Sequence, residues 1–248
     1  MRVAAIYDIH GNLPALEAVL EDIRREAVDL IVVGGDVVLG PMPRETLACL
    51  RNLDIPLRFI QGNCDREVLA QMRGTETGTL PEQIRGVVHW VAQQLQAEDE
   101  RMLASWPETL RVEMPGAGDV VFCHATPRND MDIFTRNTPE VILLPLFKRV
   151  DAALVVCGHT HMQFDRMIGS VRVVNAGSVG MPFGEAGAYW LLLTPDVQLR
   201  RSAYDLTKAA ERIRGTSYPN AEEFAARNVM QPPSEEAMLE IFARVEFK

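Results

Sequence analysis

No stretch of this chain approaches the roughly 20 consecutive apolar residues that a membrane-spanning helix needs. The strongest apolar run, Val141 to Phe147, is short and broken by Pro145. A spanning helix is excluded on that ground, and no membrane partner is expected. The opening Met1-Arg2-Val3 leads into Asp8 and His10 with neither a basic n-region nor a long apolar h-region, so no signal peptide is predicted and a cytoplasmic address is expected. Paired cysteines are also missing. Cys49, Cys64, Cys123 and Cys157 lie far apart with no C-x-x-C among them, which excludes a zinc knuckle and a disulfide framework and leaves four reduced thiols. The chain has no Lys/Arg stripe and no basic patch interleaved with aromatics. At a formal net charge of −9 it repels polyanions, so extended DNA or RNA is excluded as a partner. A small phosphorylated substrate remains compatible, because local cations override the global field. Repeats and low-complexity tracts are absent.

What is present is an ordinary globular composition, 47% hydrophobic and 24% charged over 248 residues, enough to bury a sizeable core. Short β-branched runs alternate with helical spacing. Val3 to Tyr7 reads as a buried strand, and Leu13, Leu16, Val19, Leu20 and Ile23 then mark one helix face, with Asn12 as its cap and Pro14 in its first turn. Leu30 to Val33, a helix over Arg44 to Leu53 and Pro56 to Ile60 complete a β-α-β-α-β opening with a parallel sheet. Residues 66–109, with Gly74, Gly78, Pro81 and a helical stretch around Trp90 to Met102, read as a cap-like insertion. Strands return at Leu110 to Met114 and Val120 to Cys123. A helix over Glu140 to Arg149 leads to Ala153 to Cys157, and Gln163 to Ile168, Ser170 to Val174, Ala188 to Leu193 and Val197 to Ala203 follow as antiparallel neighbours. The fold class is α/β with mixed, doubled sheets. From Leu206 onward two or three short helices, separated by Pro219 and Pro232-Pro233, read as a C-terminal extension over 206–248 packed on a domain spanning 1–205.

Chemistry-bearing residues collect where the strands stop. Asp8-Ile9-His10-Gly11-Asn12 follows the first strand, Gly34-Gly35-Asp36 the second and Gly62-Asn63-Cys64-Asp65 the third. His124 and Gly158-His159-Thr160-His161 follow two later ones, so four of the five histidines sit at carboxyl ends of predicted strands, where open α/β sheets bind ligands. Side chains two apart in an extended segment point the same way, so Asp8 with His10, and His159 with His161, are expected to converge. Glycines beside them permit positive φ and close backbone approach. Carboxylate and imidazole together suit Mn, Fe or Zn, and neither Ca nor a thiolate-selected metal.

Each motif alone has a bland reading. Asp-x-His at a strand end is more often a satisfied pair, and Gly-Gly-Asp by itself is a turn. Two imidazoles in Gly-His-x-His say more, because their crowding needs a third party to offset desolvation. His89, beside Trp90 in a helical pattern, is given no role.

In this order, Asp8-x-His10, Gly35-Asp36, Gly62-Asn63-Cys64-Asp65, His124 and Gly158-His159-x-His161 resemble the calcineurin-like metallophosphoesterase superfamily, whose pattern is D-x-H, G-D, G-N-H-[DE], H and G-H-x-H. The spacing is similar to the compact bacterial and archaeal branch of phosphodiesterases and dinucleoside-polyphosphate hydrolases. Asn175-Ala176-Gly177-Ser178-Val179-Gly180 looks like that branch's N-P-G-S-V-G element. The resemblance covers residues 1–205 and implies a four-layer α/β/β/α sandwich. It also implies two divalent ions, Mn first with Fe, Zn or Ni as substitutes. Asp8, His10 and His161 would hold one ion, Asn63, His124 and His159 the other, with Asp36 bridging both. A hydroxide shared by the ions would attack a phosphodiester or phosphoanhydride of a small metabolite. Asp36, His124, Asp65 and Cys64 would then take part in catalysis, and Asn63 and Asn12 would meet the substrate. Arg128, with Asn129, follows His124 closely enough to reach substrate phosphate, and a surface turn is the other reading of that pair.

One position departs from the family. Cys64 stands where many members carry a histidine that assists the leaving group, and a thiol is a poorer acid and a weaker donor. The alternative reading is a scaffold or regulatory binding module that keeps the fold without the chemistry; such relatives lose a ligand, and here all seven are present. Whether the chain acts as a monomer or a homodimer is left open by its sequence.

Overall fold

The alternating runs of the first 60 residues do fold as a parallel β-α-β-α-β unit in the computed structural model, which describes residues 1–75, 82–115 and 118–245. Strand β1 (Val3–Ile6) pairs with β2 (Leu30–Val33), and β2 with β3 (Leu57–Phe59), all parallel. Helices α1 (Leu13–Arg25) and α2 (Pro43–Arg51) connect them. The side chain of Asn12 accepts a hydrogen bond from the N–H of Ala15 and so caps α1, as its position predicts.

Strands β9 (Ala188–Leu193) and β10 (Val197–Ser202) extend this sheet antiparallel to give the order β10-β9-β1-β2-β3. A second sheet has the order β4-β5-β6-β8-β7, from β4 (Thr109–Met114), β5 (Gly118–Cys123), β6 (Leu154–Cys157), β7 (Phe164–Ile168) and β8 (Val171–Asn175). The expected hairpin-like pairs β7/β8 and β9/β10 are antiparallel, while β8 also runs parallel to β6.

Strand periodicity builds the layers. Val3, Ala5 and Tyr7 point between the sheets, where they meet Val120, Phe122, Val156 and Val174; Ala4 and Ile6 point the other way, onto α1 and α2. In the second sheet Val121, Cys123, Val155 and Val173 face outward to Leu143 and Phe147 of α6 (Glu140–Phe147). Two sheets, each with helices on its outer face, make the four-layer sandwich.

Residues 66–109 supply the end of α3 (Asn63–Met72), α4 (Glu82–Gln94) and α5 (Ala97–Ala104); Gly78 and Pro81 lie outside the described residues. The helical stretch expected over Trp90 to Met102 is split, because the Asp99 carboxylate accepts from the Gln96 N–H and starts a new helix. Val87, Val88, Val91 and Leu103 of this segment belong to the same buried cluster as α1 and α2. After β10 come α7 (Leu206–Arg214), α8 (Ala221–Phe224) running straight into a π-helical stretch (Ala225–Met230), and α9 (Glu235–Phe242). None of α9's residues is fully buried; the segment is tied down by Gly184 N–H to Pro233 C=O at 2.8 Å and by an Arg136–Glu235 ion pair at 2.6 Å.

Candidate metal centre

Because β1, β2 and β3 are parallel, their carboxyl ends share one edge, and β5 and β6 end opposite them. The loops leaving β1 and β2 are stitched together by main-chain hydrogen bonds from Asp8 N–H to Gly35 C=O (3.1 Å), His10 N–H to Asp36 C=O (2.8 Å) and Gly11 N–H to Val37 C=O (2.9 Å).

Asp8, His10 and His161 present donor atoms within 4.8 Å of one another, and so do Asp36, His124 and His159. Asp36 joins the two groups: its Oδ2 lies 3.4 Å from His124 Nε2 and 3.8 Å from His10 Nε2. Asp8 Oδ1 lies 3.3 Å from His161 Nε2 and 3.8 Å from His124 Nε2. Asn63 starts α3 immediately beside them, and Cys64 Sγ falls within 4.8 Å of donor atoms of His10 and Asp36.

The convergence of Asp8 with His10, and of His159 with His161, does not come from strand alternation. Strands β1 and β6 end at Ile6 and Cys157, before these residues. Five ligand candidates instead adopt left-handed backbone: Asp8 (φ 53°), His10 (48°), Asp36 (53°), His159 (65°) and His161 (57°). Outside glycine this conformation is uncommon, and it clusters where a structure holds a site together. Glycine's part is close approach. A Cβ at Gly62 would sit 2.2 Å from Asp36 Oδ1, and one at Gly158 2.5 Å from Asp8 Oδ2.

The imidazoles are aimed from behind. His10, His124 and His161 direct Nδ1 at the carbonyl oxygens of Leu39 (3.2 Å), Gly34 (2.9 Å) and Met181 (2.7 Å), which places N–H on Nδ1 and leaves the Nε2 lone pairs facing inward. Two such nitrogens, on His10 and His161, are 3.3 Å apart. The carboxylates are oriented too: Asp36 Oδ1 accepts from Cys64 N–H at 2.8 Å, and Asp8 Oδ2 from His159 N–H at 2.9 Å.

Charge balance tells the same story. Burial resists the charged form of both carboxylates, yet the surrounding imidazoles, His161 on Asp8 and His124 on Asp36, outweigh it and hold both below the usual range. Burial likewise opposes a charge on His124, but Asp36 and Asp8 push it up to about 10. His159, buried and next to His124, is pushed down to about 4.

Asp8 Oδ1, His124 Nε2 and Asn63 Oδ1 are buried without a hydrogen-bond partner among the described residues. Buried polar atoms of this kind are costly when unpaired; a cation would meet the two oxygens and take the place of the proton that Asp36 and Asp8 favour on His124 Nε2. The residues therefore fit divalent metal, with Asp8, His10 and His161 on one side, Asn63, His124 and His159 on the other, and Asp36 between.

Three predicted site residues serve the fold here. Asn12 is fully buried; besides capping α1 it donates to Gly180 C=O at 2.9 Å, so its amide has nothing to offer a substrate. Asp65 accepts from Val37, Val38 and Gly62 N–H groups, clamping the Asp36 loop to the start of α3. Burial and nearby Asp36 push its carboxyl up to about 7. Arg128 is held by Asp132 within the loop after β5. Sequence reasoning gave no role to Asn175 and Ser178. Asn175 Nδ2 donates to Gly158 C=O at 2.6 Å and Ser178 Oγ to Asp8 C=O at 2.8 Å, so both lock the metal-facing loops.

A sequence model described as the calcineurin-like phosphoesterase superfamily domain matches residues 1–197. Phosphodiesterase YfcE of Escherichia coli K12 is 27% identical over 206 residues, which cover 79% of this chain and 89% of YfcE. A metallophosphoesterase structure from Sphaerobacter thermophilus aligns at 28% identity and a TM-score of 0.71, covering 92% of this chain and all of the other. A hypothetical protein from Pyrococcus horikoshii shares the fold at a TM-score of 0.80 and 22% identity, over 94% and 99% of the two chains.

Proposed function

The chain belongs to the calcineurin-like phosphoesterase superfamily, and we propose that its seven convergent side chains hold two divalent ions, Mn first among them, for hydrolysis of a phosphodiester or phosphoanhydride bond in a small cytoplasmic metabolite. As a family member it is a metal-dependent phosphoesterase, and the kinship with a protein named phosphodiesterase favours diesters. The observation that supports the dinuclear reading is the pair of donor groups, Asp8–His10–His161 and Asp36–His124–His159, with Asp36 Oδ2 lying between them at 3.8 Å from His10 Nε2 and 3.4 Å from His124 Nε2.

When bound, divalent ions polarise a phosphoryl oxygen and lower the pKa of attacking water. The chain's own residues do the rest. Carbonyls of Leu39, Gly34 and Met181 fix three imidazoles with Nε2 inward. Cys64 N–H and the Asp65 clamp hold Asp36 at the centre, and His159 N–H holds Asp8. Cys64 also borders the substrate side; burial, then Asp36, pushes its thiol up, so it stays protonated and is a weak donor beside the leaving group.

The deciding experiment is turnover of bis(p-nitrophenyl) phosphate by Mn-loaded against chelated protein, with bound metal measured by elemental analysis. About two ions per chain and chelator-sensitive turnover are expected. Full occupancy without turnover of any ester would put the scaffold reading in its place, and an ion content of zero would remove both.

A further inference from the structure

A cavity of about 520 Å³ opens directly on the metal centre. His10, Asn63 and Cys64 form its floor, so a phosphoryl group on the ions would have its ester substituent inside it. Its walls come from elsewhere. Val88 stands on α4, Phe183 on the loop beside His161, and Tyr218, Phe224 and Met238 on the C-terminal segment, beyond residue 197 where the family match ends. Phe183 is stacked on the His161 ring with centroids 5.4 Å apart, and Tyr218 meets Phe224 edge-on at 6.0 Å.

Among the described residues the wall has no spare cation. Its three charged residues among them are Glu67, Glu223 and Arg227. Glu67 pairs with Arg66 at 3.2 Å, and Arg227 reaches Glu223 at 3.8 Å. A chain of further phosphates would meet two carboxylates, a guanidinium that faces Glu223 and, among the described lining residues, the Asn220 and Asn228 amides as neutral replacements for its hydration. Flat apolar groups meet aromatic and thioether surface, where transfer from water is favourable in proportion to area buried.

Resting on the proposed hydrolysis, we infer that the substrate is a phosphoester whose retained or departing group is uncharged, ring-bearing and largely apolar, and that the C-terminal segment is the device that selects it. Specificity is thus set by residues beyond the family match at 1–197, and anionic extensions such as oligophosphates are turned away.

Binding and turnover test this separately. The full-length, Mn-loaded protein is titrated calorimetrically with two inert probes, methylphosphonic acid and 1-naphthylmethylphosphonic acid, whose only organic substituent is held by a P–C bond that hydrolysis does not cleave. The naphthyl probe should bind about tenfold or more tightly, as burial of one bicyclic ring implies. In parallel, kcat/KM is measured on p-nitrophenyl phosphodiesters whose second group is methyl, 1-naphthyl or phosphoryl-ethyl, each divided by its uncatalysed rate. The expected order is naphthyl, methyl, phosphoryl-ethyl. Met238→Glu should bring the naphthyl-to-methyl ratios for binding and turnover towards one, and Ile84→Glu, at a position on α4 already 43% exposed and tolerant of charge, guards against a folding artefact by doing the same. Equal binding of the two phosphonates, or preference for the phosphorylated ester, overturns the inference whether or not turnover is seen. Naphthyl-selective binding without hydrolysis of any ester upholds the cavity assignment and overturns the proposed function instead.

Discussion

Gly62→Ala isolates the geometry of the metal centre from the chemistry of its ligands. Gly62 has φ −97° and ψ 168°, an extended conformation that alanine adopts freely, so the substitution brings no backbone strain. Its cost is steric. The new methyl would lie 2.2 Å from Asp36 Oδ1 and 2.4 Å from Asp36 N, where ordinary contact begins at 3.4 Å. Either the Asp36 carboxylate or the start of α3, which carries Asn63, must therefore retreat by more than 1 Å. Overpacking of this kind costs about 2 kcal/mol, or roughly 4–8 °C in Tm for a chain of this size. A displacement near 1 Å in a reacting constellation is worth about 10²-fold in rate. The assay is kcat/KM on bis(p-nitrophenyl) phosphate, with Mn content and thermal melting measured on the same preparation. Gly86→Ala is the control: nothing among the described residues lies within 4 Å of a Cβ there, and the residue is helical. It should gain about 0.5–1 kcal/mol with activity intact. Wild-type metal content and turnover in Gly62→Ala would refute the claim that Asp36 sits at the shared position.

Asp36→Asn should reduce turnover to background and release both ions, whereas His89→Ala, on an exposed side chain hydrogen-bonded to Gln71 and Gln93, should change neither; elemental analysis and initial rates decide. Removing Mn with a chelator should lower Tm by about 5–10 °C, the shift expected when a ligand held at a hundred times its Kd is withdrawn, and readdition should restore it. Cys64→His should raise kcat/KM by about 10²-fold on alkyl phosphoesters, which need an acid at the leaving oxygen, and leave nitrophenyl esters little changed. Parallel dependence of wild type and variant on leaving-group pKa would show that position 64 takes no part in departure.

The parts of this molecule that could be read from its sequence are those with a long enough pattern. Leu30 to Val33 is a strand with its predicted bounds, because four β-branched or aliphatic residues before Gly-Gly-Asp admit little else. The metal-facing loops were equally legible, since Asp and His at five strand ends have no common explanation as turns. Residue type does not report φ, however, so nothing announced that Asp8, His10, Asp36, His159 and His161 would be left-handed. Nor does a motif separate a ligand from a clamp: Asn12 and Asp65 lie in the same loops as the ligands, and only their hydrogen bonds show that they serve the backbone. The C-terminal segment hid its role for a third reason. Pro219 and Pro232 mark the breaks, but a four-residue helix followed by a π-helical stretch has too few turns for periodicity to show that Tyr218, Phe224 and Met238 face the site.

Those five left-handed residues have a consequence for anyone who would redesign the protein. At about 1 kcal/mol each they withhold roughly 5 kcal/mol from a fold whose whole margin is of the order of 5–15 kcal/mol. A library selected for heat resistance without the ion will drift towards glycine or asparagine at these positions, and the variants that melt latest there will be the ones least able to bind metal. Stabilising this scaffold therefore calls for selection in the presence of the ion, so that the cation's grip and the backbone's strain are judged together.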